Sequence, residues 1–215
     1  MNLKNYYYYY QSALSPRICD EIIRYGQLHK PEMALTGGMQ RDEKNKTKSG
    51  KLKKKAIKNL HVKRKSDIVW MNDTWIYKEI HPYIRQANKD AGWNFDWDFS
   101  ESCQFTKYKK DQFYDWHCDS WDKTYDTPDD LNKHGKIRKL SVTISLSDET
   151  EYEGGDFEFD FRKSKEGSNI PHICKEIRPK GSIVVFPSFV WHRVKPVISG
   201  TRHSLVIWNL GWPFK

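Results

Sequence analysis

A histidine and an aspartate stand two residues apart in the stretch YDWHCDSW, residues 114–121, and both side chains are good metal ligands. On a β-strand the side chains of residues i and i+2 point to the same side, so His117 and Asp119 would present an imidazole and a carboxylate to one point. This is the only His-x-Asp or His-x-Glu in the chain. The pair indicates either half of a metal site or the polar edge of an ordinary strand.

A third metal ligand is available much later, in GSIVVFPSFVWHRVKP, residues 181–196, where His192 follows an apolar strand and a proline turn. Two histidines and one carboxylate leave coordination positions open, which is the arrangement of non-haem Fe(II) oxygenases. The same ligand types also serve hydrolytic zinc. The three residues together therefore leave the chemistry open.

Arg202 and Ser204 lie in GTRHSLVIW, residues 200–208, on one face of the last predicted strand. A guanidinium there could donate two parallel hydrogen bonds to a carboxylate, and the serine hydroxyl is an additional donor. The alternative is an exposed arginine at the end of a strand. Beside a metal triad, Arg202 would select a co-substrate that chelates iron at one end and carries an acid at the other.

Two helices are predicted in the first half of the chain. SPRICDEIIRYGQLHK, residues 15–30, begins with a capping serine and a proline suited to the first turn, and its apolar residues recur at helical spacing. NDTWIYKEIHPYIRQANKDAGW, residues 72–93, has an apolar stripe and a glycine, Gly92, placed to end the helix.

Short alternating segments follow from Trp93 onward and predict β-strands. The candidates are 102–108, 113–119, 139–147, 155–161, 182–187, 190–196 and 204–210, with turns such as EYEGG (151–155) and VISGT (197–201) between them. This order predicts a β-sandwich or jelly roll with helices on one face. We expect one domain, 1–215, with a helical support layer (11–92) and a jelly-roll core (93–215).

The net charge of +9 is concentrated in one segment. Between Arg41 and Lys65, twelve Lys or Arg stand against two acidic residues, so the rest of the chain is close to neutral. We interpret 36–66 as a basic loop. It is either a solvated, flexible connection or a surface that meets an acidic peptide or a nucleic acid.

The composition favours a protein of a reducing compartment. The four cysteines are spread without a Cys-x-x-Cys pair, which excludes a disulfide framework and a zinc ribbon. No apolar run approaches the length of a membrane helix, and the start MNLKNYYYYY lacks the pattern of a signal peptide. We therefore expect a cytoplasmic protein without a membrane partner.

The segment YKKDQFYDWHCD, residues 108–119, resembles the motif Y-x-x-G-x-x-Y-x-x-H-x-D of the Fe(II)- and 2-oxoglutarate-dependent oxygenases, specifically their prolyl 4-hydroxylase-like group. EYEGGDFEF resembles the Y-x-G-G-x-x-x-F hairpin of that group, and GSIVVFPSFVWHRV resembles its distal-histidine segment. The resemblance covers nearly the whole chain. It departs at Asp111, where the family usually has glycine, and at Arg202, where many prolyl hydroxylases have lysine.

The resemblance implies a mainly β double-stranded β-helix (jelly roll) with N-terminal helices packed on one face. It makes His117, Asp119 and His192 the iron ligands, and it implies Fe(II), 2-oxoglutarate, O2 and ascorbate as cofactors and co-substrates. The implied reaction hydroxylates an unactivated C–H bond and releases succinate and CO2. The residues implied at the 2-oxoglutarate site are Arg202, Ser204 and Tyr108, while Thr143 is either a further contact or an ordinary strand threonine.

The substrate that the resemblance implies is a prolyl or other residue of a peptide or protein, with the basic loop 36–66 placed where related enzymes carry a mobile lid. A nucleic acid base is an alternative, although no second arginine follows Arg202 as it usually does in nucleic-acid demethylases of this superfamily. A small metabolite is another. A non-catalytic binding module on the same scaffold is the alternative outside enzymes.

Overall fold

The computed structural model describes residues 5–36, 43–47, 49–161 and 170–214. Its helices are α1 (Pro16–Gln27), α2 (Lys54–Lys63) and α3 (Thr74–Asp90). The strands before the metal motif are β1 (Tyr8–Tyr10), β2 (Glu32–Met33), β3 (Arg64–Lys65), β4 (Asp67–Met71), β5 (Phe99–Ser100) and β6 (Cys103–Tyr108). The remaining strands are β7 (Phe113–His117), β8 (Ile137–Ser145), β9 (Tyr152–Gly154), β10 (Phe157–Asp160), β11 (His172–Ile173), β12 (Ile183–Pro187), β13 (Trp191–Val194), β14 (Val197–Gly200) and β15 (Arg202–Gly211).

The strands form two antiparallel sheets and a short ribbon. The major sheet has the order β1-β12-β8-β15-β6-β4-β2, with β5 added beside β15. The minor sheet has the order β11-β10-β13-β7-β3, and β9 pairs with β14. Strands that follow one another in the chain are often in different sheets, which is typical of a jelly roll. The predicted fold class is confirmed.

The core between the two sheets is rich in phenylalanine. Phe186 of β12 in the major sheet packs on Phe159 of β10 in the minor sheet, with ring centroids 5.2 Å apart. Both side chains are almost completely buried. The apolar cluster around them holds the sheets together and surrounds the space in which the predicted site residues lie.

The other face of the major sheet is covered by helices. Ile183 and Val185 alternate along β12 with Val184 and Phe186, so the strand is buried on both faces and reads as a continuous apolar run. The outer face packs against the apolar stripes of α1 and α3, which include Cys19, Ile22, Ile76, Ile80, Ile84 and Ala87. The helices therefore support the sheet from behind.

Both predicted helices are confirmed, although α1 ends at Gln27, three residues before the end of the predicted segment. Ser15 is the N-cap of α1, and its hydroxyl accepts a hydrogen bond from the Ile18 N–H at 3.4 Å. Gly92, just after α3, has φ +73°, which is the left-handed conformation that ends helices.

The prediction of one loop over 36–66 is wrong for residues 54–65, because 54–63 form α2 and 64–65 form β3. This helix buries Ala56 and Leu60, one turn apart, and contacts β3 and β7 of the minor sheet. Its many lysines hide a narrow apolar face, which is why the segment looks unstructured in the sequence. Residues 37–42 and 48 of the predicted loop lie outside the described residues.

Two predicted turns are also wrong in part, because residues of EYEGG and VISGT form β9 and β14. Their pairing joins Gly200 to Tyr152 and Val197 to Gly154. Each strand is short and ends in glycine, so the sequence signal of a turn outweighs that of a strand. Strands β1 and β4, at the edge and within the major sheet, were not predicted at all.

Asp111, the departure from the family motif, adopts the left-handed conformation with φ +62°. Its N–H donates to the Val197 carbonyl at 2.9 Å, which ties the turn before β7 to β14. Aspartate tolerates this conformation better than most residues, so the turn keeps its shape without glycine.

We expect Asp111→Val to lower the free energy of unfolding by about 1–2 kcal/mol, because a β-branched residue is strained at this φ. Asp111→Gly should be at least as stable as the parent. Urea unfolding of the three proteins measures the difference. Equal stability of the valine and glycine variants would contradict the strained-turn account.

Candidate active site

His117, Asp119 and His192 come together at one end of the space between the sheets. One potential ligand atom from each side chain lies within 4.8 Å of the others. His117 Nε2 is 3.7 Å from Asp119 Oδ1, and His192 Nε2 is 3.5 Å from Asp119 Oδ2. The three predicted metal ligands thus face a common point: the two histidines from strands and the aspartate from a loop.

The pairing of β7 with β13 positions the two histidines. His192 is directly opposite His117, whereas Val194, two residues on, is opposite Tyr114, three residues back. The additional residue on β7 is a β-bulge, a feature common beside active sites because it redirects side chains. It brings Tyr114 to the same side as His117, and the two rings stack with centroids 3.5 Å apart.

The predicted strand 113–119 is two residues too long, because β7 ends at His117 and Asp119 lies on the loop that follows. Its backbone N–H donates to the Ser188 carbonyl at 2.8 Å, which holds the loop beside the turn between β12 and β13. The Ser141 hydroxyl of β8 donates to Asp119 Oδ2 at 2.8 Å and is 2.9 Å from the Ser188 hydroxyl. Asp119 therefore lies outside any strand, but Ser141 orients its carboxylate and Ser188 holds its backbone.

Each histidine is oriented by its own backbone. Nδ1 of His117 donates to the Asp115 carbonyl at 2.8 Å, and Nδ1 of His192 donates to the Val190 carbonyl at 2.9 Å. With the proton on Nδ1, both Nε2 atoms are left as acceptors that point at the common site. Such outer hydrogen bonds are a regular feature of metal-binding histidines.

The protonation states also suit coordination. Burial and the neighbouring His192 lower the pKa of His117 to about 3, so its ring is neutral. Burial would raise the pKa of Asp119, but His192, His117 and Arg138 together lower it below its ordinary value. A neutral imidazole and an ionised carboxylate are the forms that bind metal ions.

A narrow cavity of about 40 Å³ extends from this point into the sandwich. Its wall contains all seven predicted site residues, namely His117, Asp119, His192, Arg202, Ser204, Tyr108 and Thr143. Arg202, Ser204 and Val206 alternate along β15, so every second side chain faces the cavity. Tyr108 is the direct partner of Arg202 on β6, and Thr143 is the partner of Val206 on β8.

Arg202 is 2% exposed and lies in this wall with the centre of its guanidinium 5.5 Å from the Tyr108 ring centroid. Its Nη1 is buried and has no hydrogen-bond partner within the described part of the chain. An unpaired buried guanidinium is costly, because the group loses water without gaining an acceptor. The cavity is therefore built around a vacant donor for an anion.

Gly155 makes room for that side chain. Its φ is +61°, and an added Cβ would be 3.1 Å from both Cδ of Arg202 and Cγ2 of Val197. The second glycine of EYEGG thus has a packing reason as well as a conformational one.

A wider cleft of about 650 Å³ opens on the other side of the ligand cluster. Its wall is rich in tryptophan, with Trp70, Trp116, Trp121, Trp191 and Trp208 all contributing. Six residues line both cavities and form their junction: Arg64, Gln104, Tyr114, His117, Asp119 and Trp208. The ligand cluster therefore lies between a small inner cavity and a large aromatic cleft.

Sequence reasoning missed several of these residues. Arg138 forms a bidentate pair with Glu101, at 2.6 and 2.7 Å, and its guanidinium lies 3.9 Å from the Trp208 ring centroid. Arg64 is hidden in a basic run, and Tyr114 is one of twelve tyrosines in the chain. No short-range pattern singles out these side chains, because their partners are distant in the sequence.

The fold and the site together define a jelly-roll protein with a His-Asp-His cluster beside a narrow cavity that contains a buried arginine. Residues 103–209 match the family described as 2OG-Fe(II) oxygenase superfamily. A PKHD-type hydroxylase from Synechococcus sp. (strain CC9902) is 40% identical over 96 residues, which are 44% of this chain and 35% of that protein. Residues 103–209 belong to the 2OG-Fe(II) oxygenase superfamily, as the motifs predict.

Solved structures agree on the fold. A viral collagen prolyl hydroxylase from Paramecium Bursaria Chlorella virus-1, in complex with 2OG, superposes with a TM-score of 0.61 at 19% identity, covering 97% of each chain. A prolyl hydroxylase from Trichoplax adhaerens, in complex with a peptide fragment of the hypoxia inducible factor oxygen degradation domain, gives 0.59 at 14% identity. It covers 96% of this chain and 84% of that one. The fold is thus that of the prolyl hydroxylases.

The chain spans about a third of the length of the curated relatives it matches. Among the helices of the described residues, none combines the length and the apolar character that a membrane crossing requires.

Proposed function

We propose that this protein is an Fe(II)- and 2-oxoglutarate-dependent dioxygenase that hydroxylates an unactivated C–H bond in a residue of a peptide or protein, with proline as the first candidate. One observation carries the proposal. Three potential metal ligands converge where an inner cavity with an unpaired arginine meets an open aromatic cleft. This geometry suits a co-substrate on one side of a metal and a substrate on the other.

The residues present fit the iron and the co-substrate. His117, Asp119 and His192 would hold Fe(II), which prefers this ligand set, and the free Nη1 of Arg202 would receive the far carboxylate of 2-oxoglutarate. Ser204, Tyr108 and Thr143 would surround that co-substrate in the same wall. When bound with O2, iron and 2-oxoglutarate supply an oxidative decarboxylation to succinate and CO2 that drives hydroxylation.

The chain's own residues provide the environment of the reaction. The Nδ1 hydrogen bonds of the histidines hold their rings in one orientation, and Ser141 holds the carboxylate. Buried side chains such as Phe157, Phe186 and Val194 in the inner wall exclude water from the co-substrate. Ascorbate, expected as a reductant, needs no site of its own in this proposal.

A peptide substrate is supported by the shape and lining of the wide cleft. Aromatic walls of this kind accept proline-rich and other extended peptides, because rings pack well on the flat pyrrolidine and on the backbone. Lys63 and Arg64 of the basic segment line the cleft, so this segment would contact the partner. The Trichoplax enzyme, whose structure contains a peptide fragment, has the same fold.

The test is anaerobic addition of Fe(II) and 2-oxoglutarate, followed by optical spectroscopy and then by admission of O2. The proposal predicts a weak visible charge-transfer band and slow release of succinate even without substrate. If the metal-loaded, folded protein gave neither, the oxygenase proposal would be wrong, and zinc hydrolysis or a binding module would replace it.

Ser141→Ala is expected to weaken metal binding by about 10- to 100-fold, because Asp119 loses the hydrogen bond that orients it. Titration calorimetry with Mn(II) measures this directly. Ser145→Ala is the matched control, since Ser145 is buried on the same strand but donates to the Ser147 carbonyl. Equal Mn(II) affinity of the two variants would remove Ser141 from the site.

A further inference from the structure

Arg64 is a second buried arginine at the ligand cluster, and it belongs to neither the proposed metal ligands nor the proposed 2-oxoglutarate contacts. Arg64 is 4% exposed, and its side chain lines both the inner cavity and the wide cleft. The centre of its guanidinium is 4.3 Å from the Tyr114 ring centroid, and the Tyr114 ring in turn stacks on His117 at 3.5 Å. One aromatic ring thus separates this cation from a proposed metal ligand.

All hydrogen-bond partners of Arg64 are uncharged. Nε donates to the Ser66 hydroxyl at 3.1 Å, Nη1 to the Leu35 carbonyl at 3.4 Å and Nη2 to the Gln104 amide oxygen at 2.6 Å. A guanidinium has five N–H groups, so two remain, and no carboxylate among the described residues forms an ion pair with it. The cation is therefore fixed in place and uncompensated.

Arg138, in the same cleft, shows what a compensated arginine looks like. Its guanidinium donates two hydrogen bonds to the Glu101 carboxylate. The Tyr125 hydroxyl donates a further hydrogen bond to the same carboxylate at 2.8 Å. Arg64 has a comparable position and burial without such a partner. Retaining an unpaired charge in a buried wall costs stability unless a bound anion completes it.

We infer that Arg64 binds an anionic group of the substrate, a carboxylate next to the carbon that is oxidised. The inference rests on the proposed oxygenase function, since it names the chemical class of that enzyme's substrate. The three fixed hydrogen bonds hold the guanidinium in place before binding, so little flexibility is lost when the anion arrives. The lysine-rich segment around it raises the local concentration of anions at the cleft.

The carboxylate has two sources, the C-terminus of a peptide or amino acid and an acidic side chain next to the target residue. Two matched pairs of probes separate them: N-acetylproline against its amide, and acetylated Pro-Glu amide against Pro-Gln amide. Binding is measured by the intrinsic fluorescence of the cleft tryptophans, in protein without iron or 2-oxoglutarate. The readout therefore does not depend on turnover.

We expect the acid of at least one pair to bind about tenfold or more tightly than its neutral partner. Arg64→Gln should abolish the preference and Arg64→Lys should retain part of it, with folding checked by urea unfolding. Lys65→Gln removes an exposed charge one residue away, outside both cavity walls, and should keep the preference. Arg202→Gln should keep it as well, because the inference assigns the anion of the probe to Arg64 and not to Arg202.

Several results would overturn the inference. Equal binding of acid and neutral probe in both pairs, or binding of neither, would exclude a substrate anion site. A preference that survives Arg64→Gln, or one that is lost in Arg202→Gln, would place the anion elsewhere. A preference that follows Arg64 in a protein that releases no succinate would retain the anion site while refuting the oxygenase.

Discussion

Asp119→Asn is expected to reduce Mn(II) affinity and 2-oxoglutarate-dependent succinate release by at least about a hundredfold, more than loss of an outer hydrogen bond would cause. Asparagine has the same shape but no charge, so the site would lose its only anionic ligand among the three. Two neutral imidazoles alone hold a divalent ion weakly. Calorimetric titration with Mn(II) gives the affinity, and succinate quantification gives the turnover.

The metal-free Asp119→Asn protein should fold normally, because the Ser188 carbonyl still accepts from the backbone N–H of residue 119. Asp122→Asn is the matched control, since Asp122 is an exposed acid on the same loop. Its metal affinity should equal that of the parent. Full Mn(II) affinity and full turnover in Asp119→Asn would refute the proposed ligand set.

Arg202→Gln is expected to raise the Kd for 2-oxoglutarate by about 30- to 150-fold, equivalent to about 2–3 kcal/mol for a charge-assisted hydrogen bond in a buried site. The metal affinity should not change, because Arg202 does not touch the three ligands. Titration of the anaerobic Fe(II) protein with 2-oxoglutarate, followed through the charge-transfer band, measures the Kd.

A comparison of co-substrates makes the assignment specific. The parent should bind 2-oxoglutarate much better than 2-oxopentanoate, which lacks the far carboxylate, and Arg202→Gln should bind the two alike. Arg193→Gln is the control, since Arg193 neighbours His192 in the chain but bonds Glu158 at 2.6 Å on the opposite face. Unchanged discrimination in Arg202→Gln would assign the carboxylate to another residue.

Much of this architecture could be predicted from periodicity. Helices α1 and α3 and the principal strands follow from apolar spacing, capping residues and turns, all of which act between residues close in the chain. The seven residues proposed for the site could be chosen from short motifs and from the family resemblance that those motifs support, and the structure brings them into one cavity wall.

The remainder depends on contacts between distant residues. The bulge of β7 exists only relative to β13, so strand parity alone places Tyr114 on the wrong side of the sheet. Arg64 becomes distinctive through Gln104, 40 residues away, and Ser141 through Asp119, 22 residues away. In the sequence, Arg64 is one basic residue among many.

The shared wall of the two cavities has a kinetic consequence. A molecule seated in the wide cleft against Tyr114, His117 and Trp208 would cover the junction through which the inner cavity meets that cleft. A small dicarboxylate bound at Arg202 would then be trapped behind it. On the proposed function, 2-oxoglutarate would therefore have to bind before the substrate, and an excess of substrate would slow its exchange.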